Sequence, residues 1–72
     1  MSRLPVCSGA GAVKAFRKLG YEVDHQTGSH IILRRPSGRR LTVPNHRELA
    51  KGTLRAPIRQ AGITKDQFDG LL

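Results

Sequence analysis

A chain of 72 residues with 13 Lys and Arg against 5 Asp and Glu carries a formal net charge of +8. A domain this small buries only about 60% of its unfolded surface, so its core is thin, a deep substrate cavity is excluded, and chemistry belongs on an open face or in a shallow groove. The charge excess, nine Arg and four Lys, points to a polyanion or an acidic protein partner; a basic surface serving solubility alone is the alternative.

The single cysteine, Cys7, has no disulfide partner and no second thiolate with which to bind a metal. Met1 to Val6 lacks the apolar run of a signal peptide, and no segment approaches the roughly 20 apolar residues of a membrane span. The expectation is one cytoplasmic domain over 1–72, without membrane contact.

Ser8 is a candidate N-cap for a first helix with Ala12, Val13, Phe16 and Leu19 near helical spacing and Gly20 as its stop. Gly9 and Gly11 weaken its first turn. Lys14, Arg17 and Lys18 fall off the apolar stripe, toward solvent or a phosphate backbone. From Tyr21 the period becomes two, with Tyr21, Val23 and His25 alternating against Glu22, Asp24 and Gln26.

A glycine turn then delivers Gly28-Ser29-His30-Ile31-Ile32-Leu33-Arg34-Arg35, a strand that sends Ile31 and Leu33 to one face and His30, Ile32 and Arg34 to the other. Pro36-Ser37-Gly38 turns the chain again. Leu41 and Val43 next alternate with Arg40, Thr42 and Pro44, completing an antiparallel meander of three strands. Its buried face is expected to hold Val23, Ile31, Leu33, Leu41 and Val43. Its polar face is expected to hold Glu22, Asp24, His30, Ile32, Arg34, Arg40 and Thr42, with Glu22 or Asp24 close enough to His30 to raise its pKa.

Asn45-His46-Arg47-Glu48 has capping-box spacing and predicts a short helical turn. Thr53 is a candidate N-cap for a helix with Leu54, Ile58 and Ala61 on one face and Pro57 in its first turns, or delaying its start; Gly62 ends it. Thr64-Lys65-Asp66-Gln67 is a capping box for a last short helix with Phe68, Leu71 and Leu72. The fold class is α+β, in the α-β-β-β-α order of a double-stranded-RNA-binding domain, with helices on one face of a three-stranded antiparallel sheet. Topology alone does not give function.

Three histidines, His25, His30 and His46, match no compact metal-ligand spacing, and no phosphate loop, nucleophile elbow or carboxylate pair is present. No cofactor is expected. Imidazole acid and base chemistry remains, and RNA is a substrate that brings its own nucleophile, the 2′-hydroxyl. On residues alone, a lone histidine on a strand such as His30 is more often an ordinary surface or hydrogen-bonded residue than a catalytic one.

The ordered set Gly20-Tyr21, Gly28-Ser29-His30, Gly38-Arg39-Arg40, Val43-Pro44-Asn45-His46, Lys51-Gly52-Thr53-Leu54-Arg55 and Gln60-Ala61-Gly62-Ile63-Thr64 resembles the HicA toxin family of bacterial toxin–antitoxin modules, over about residues 8 to 69. That resemblance implies a dsRNA-binding-domain-like fold and an mRNA interferase, an endoribonuclease that inhibits translation and growth. It implies that His30 is catalytic and that Gly28 and Ser29 position it. It also implies a HicB-type antitoxin that masks the active face, with DNA contacted only through the antitoxin. Arg34, Arg40 and Lys51 are expected to engage the mRNA backbone. Lys51 to Thr53 is either a phosphate-binding helix start or a simple cap. His46 takes a structural or RNA-contacting part, and His25 none. Gly9-Ala10-Gly11 and Pro57 depart from the family's helix formers. The competing class is a non-catalytic basic RNA-binding module; a DNA-binding accessory protein has no evident recognition helix to support it.

Overall fold

The computed structural model describes residues 7–72. The hexapeptide in which no signal sequence is expected lies outside them. The elements run α1 (Gly9–Arg17), β1 (Glu22–Thr27), β2 (His30–Arg34), β3 (Arg40–Pro44), α2 (Lys51–Ala61) and α3 (Lys65–Asp69). The strands form one antiparallel sheet in the order β1-β2-β3. This is the expected α-β-β-β-α arrangement, with the helices packed on one side of the sheet.

Local chemistry accounts for the helix ends. The Ser8 hydroxyl accepts from the Gly11 N–H at 3.0 Å, capping α1 as expected. Gly62 adopts φ 75°, its N–H bonding Arg59 O and the Ile63 N–H bonding Ile58 O, a Schellman end for α2. Thr64 and Gln67 cap each other reciprocally at the start of α3.

The core is an aromatic cluster with aliphatic residues around it. Phe16 meets Phe68 at 5.1 Å between ring centroids and Tyr21 edge-on at 6.2 Å. Ala12 and Ala15 of α1, Ile31, Leu33, Leu41 and Val43 of the sheet, Leu49, Leu54 and Ala61 complete it. Because both helical layers lie on this side, the other face of the sheet is left open.

Several expectations are corrected. Val23 is 51% exposed, because it lies on the edge strand β1, whose six residues are all exposed. The alternation also breaks within β1. Val23 pairs with Leu33 but His25 pairs with Ile32, so Asp24 is the extra residue of a β-bulge. The bulge moves His25 to the open face and Gln26, opposite Ile31, to the helical side.

Asn45 to Glu48 forms no helical turn; the segment runs irregularly to Leu49, which bridges to Cys7. Thr53 is not a cap either. Helix α2 begins three residues earlier, with Ala50 at the N-cap and no side-chain cap, and Thr53 donates its N–H to Ala50 O at 3.0 Å. Pro57 is therefore the seventh residue of α2, past the first turn, where it removes the donor that Thr53 C=O would otherwise receive. Its ring is buried in return. At the C-terminus Leu72 is half exposed instead of joining Phe68 in the core.

Candidate functional site

Gly28 and Ser29 form a two-residue turn between the paired residues Thr27 and His30. Gly28 has φ 56° while Ser29 stays at negative φ, the requirement of a type II′ hairpin turn with glycine first. His30 follows at once, as the first residue of the central strand. Its neighbours across the sheet are Thr27 and Pro44. The imidazole is exposed and has no hydrogen-bond or ion-pair partner among the described residues.

This end of the sheet is fastened by backbone. The Asn45 N–H donates to Ser29 O at 2.6 Å, and the Gly9 N–H donates to His46 O at 2.7 Å. A Cβ on Gly9 would stand 2.6 Å from Pro44 O and 3.1 Å from Asn45 Cα. Gly9 thus serves as a close approach between α1 and the end of β3. The Ser29 turn, the 44–46 segment and the start of α1 form one continuous backbone support under His30. Exposed His46 belongs to that support through its carbonyl.

Cross-strand pairing arranges the open face in three rows: Thr27, His30 and Pro44; then His25, Ile32 and Thr42; then Glu22, Arg34 and Arg40. Arg34 and Arg40 are thus together as expected, and on the same face as His30. The carboxylate expected near His30 goes elsewhere: Asp24 Oδ2 meets His25 Nδ1 at 2.8 Å. Neighbours on a regular strand point to opposite faces, so this contact depends on the bulge. The Asp24 carboxyl is held below its usual range by that hydrogen bond first, weak desolvation acting against it, and then by the charges of His25, Arg34 and Arg40. A shallow depression of about 340 Å³ lies beside His25, lined by Ile32, Arg40, Leu41, Thr42 and Gln60. Gln60 reaches it from α2, its side-chain oxygen accepting the outward Thr42 N–H of edge strand β3 at 3.2 Å.

Lys51 and Thr53 lie apart from these rows, in the first turn of α2. Lys51 lines a groove of about 420 Å³ between α2 and α3 with Arg55, Ile58, Arg59, Ile63 and Lys65. This cationic groove is missing from the sequence-based site, although Lys51, Arg55 and Arg59 recur every four residues and so share a helix face. Lys65 is partly committed to Asp69, 2.6 Å away. Among the described residues no three His, Cys, Asp or Glu side chains gather as a metal site, and no helix is long and apolar enough to cross a membrane.

A family model described as the HicA toxin of bacterial toxin-antitoxin systems matches residues 10–63. The chain belongs to the HicA toxin family. The matched segment of this HicA toxin runs from the first turn of α1 past the Schellman end of α2, and includes the Gly28-Ser29 turn, His30 and the whole sheet. Membership in a toxin–antitoxin family implies an antitoxin partner. No curated protein matches the chain.

Proposed function

We propose that this HicA toxin is an endoribonuclease that cleaves mRNA by attack of the substrate's own 2′-hydroxyl, with His30 as a proton-transfer group. The observation that carries the reading is the presentation of His30: an exposed imidazole, without a side-chain partner among the described residues, held by a type II′ turn at the head of the central strand, on a face that also bears Arg34 and Arg40. A positioned imidazole contributes about 10²–10⁴-fold to such a reaction by proton transfer. Attack at phosphorus leaves a 2′,3′-cyclic phosphate and a 5′-hydroxyl, and needs no metal-bound nucleophile.

The rows divide the labour. Arg34 stands four residues along β2 from His30, roughly 13 Å in an extended strand. Arg34 and its neighbour Arg40 therefore hold phosphates further along the strand, not the one being cut. His46, at the His30 end, is suited to the RNA on the other side of the cut. Gly28 and Ser29 act by positioning. Lys51, with the free N–H groups at the start of α2, and Thr53 lie away from the sheet and extend the phosphate-binding surface. The antitoxin inhibits by covering the open sheet face.

The test compares purified wild type and His30→Ala on a defined RNA, with and without chelator, and follows growth and bulk mRNA in expressing cells. Cleavage to cyclic phosphate ends that survives the chelator and is lost in His30→Ala, with the variant folded, is expected. Equal growth arrest by both chains with intact mRNA would make the protein a non-catalytic RNA binder.

A further inference from the structure

Resting on the nuclease reading, we propose that His25 is a second catalytic group, the acid that protonates the leaving oxygen while His30 takes the proton of the 2′-hydroxyl. Sequence alternation assigns His25 to the helical side of the sheet. The bulge at Asp24 reverses that assignment, pairing His25 with Ile32 and thereby bringing it onto the face of His30. Thr27 pairs with His30 and His25 with Ile32, so the two histidines are diagonal neighbours on adjacent strands. Such neighbours lie about 7–8 Å apart, room for one phosphate between two rings.

The two imidazoles are held differently. His30 has no side-chain partner among the described residues, and its lone pair is available to a hydroxyl proton. His25 is oriented by Asp24, whose carboxylate accepts from Nδ1 at 2.8 Å and leaves Nε2 to the substrate. With side chains 54% and 36% exposed, this contact contributes little to stability. Its consequence is orientation. Among the described residues, the charged groups on the face around His25 are Asp24 and Glu22 on its own strand, Arg34 on β2 and Arg40 on β3; from α2 the neutral Gln60 approaches. Ile32, between the histidines, offers an apolar surface to a base, and the depression lined by Arg40, Thr42 and Gln60 leads the chain away.

The step balances as follows. His30 accepts the 2′-hydroxyl proton as the 2′-oxygen bonds to phosphorus. The bond from phosphorus to the 5′-oxygen breaks, its electron pair goes to that oxygen, and Nε2–H of the His25 imidazolium supplies the proton. His30 ends protonated and His25 neutral, and exchange with water resets both.

The experiment uses purified wild type, His25→Gln, His30→Gln and Asp24→Asn on one RNA oligonucleotide and on its analogue with sulfur replacing the 5′-bridging oxygen, a leaving group that needs no proton. On ordinary RNA His25→Gln is expected to lose about 10²-fold or more in kcat with KM little changed, and Asp24→Asn to lose less. On the sulfur analogue His25→Gln recovers to within about tenfold of wild type while His30→Gln does not. A His25→Gln enzyme as fast as wild type on ordinary RNA overturns the inference, as does an equal loss on both substrates. Absence of cleavage by wild type overturns the nuclease reading itself, and this inference with it.

Discussion

Gly9 and Gly52 each stand in the first turn of a helix, and the same substitution should act on them with opposite sign. Alanine in place of glycine in a helix gains roughly 0.5–1 kcal/mol. At Gly52 a Cβ meets nothing within 4 Å, so Gly52→Ala keeps that gain. At Gly9 the Cβ meets Pro44 O at 2.6 Å, Asn45 Cα at 3.1 Å and His46 N at 3.1 Å. All three are backbone atoms, and the Gly9 N–H bond to His46 O ties that backbone to α1. Overpacking of this kind costs about 1–3 kcal/mol, which exceeds the propensity gain. Gly9→Ala should therefore lower the melting temperature by roughly 4–8 °C for each kcal/mol lost, and Gly52→Ala should raise it by a few degrees. Parallel thermal and urea unfolding of the two variants checks both signs. Because displacement of the 44–46 segment pulls on the Asn45 bond to Ser29, Gly9→Ala should also slow RNA cleavage at temperatures where it remains folded. A Gly9→Ala protein as stable as Gly52→Ala would refute the account of the support beneath His30.

Tyr21 is 1% exposed and its hydroxyl has no hydrogen-bond partner among the described residues, so Tyr21→Phe, which keeps the edge contact with Phe16, should leave unfolding free energy unchanged or raise it by up to about 1 kcal/mol. Burial, and then the Asp69 carboxylate, push the Cys7 thiol above its ordinary range. Alkylation of Cys7 at pH 8 should therefore be several-fold slower in the native protein than in urea, a difference that mass spectrometry reads directly. The Asp24 pKa is lowered on folding, so its contact with His25 adds stability above the ordinary carboxylate pKa and loses it as pH falls through the lowered value. An NMR titration should find Asp24 protonating below an ordinary aspartate, and moving back toward it in His25→Ala.

The order of elements was readable because several boundaries carry their own chemistry: Ser8, Gly62 and the Thr64–Gln67 pair are caps that function locally, whatever they pack against. The Gly28-Ser29 turn and the position of His30 were readable for the same reason. Where neighbours decide, the sequence misleads. Val23 has the right residue type and period for a buried strand position, yet it stands on an edge the helices do not cover. Thr53 is a better cap than Ala50 by composition, but α2 starts where the Leu49 bridge to Cys7 releases the chain. The groove lined by Lys51, Arg55, Arg59 and Lys65 depends on how α3 returns beneath α2, and no local pattern specifies that return.

The bulge at Asp24 is the case in which a local misreading has a chemical consequence. A period of two carried through β1 leaves His30 as the only histidine on the open face. One extra residue turns His25 to that face and brings Asp24 against it. The change is possible because β1 is an edge strand paired on one side only, so a residue can be inserted without breaking a second ladder. In a domain with so thin a core, the helices occupy one face of the sheet, and among the described residues the other is the broad surface on which groups from three strands converge. Register along β1 therefore decides whether that surface presents one imidazole or two.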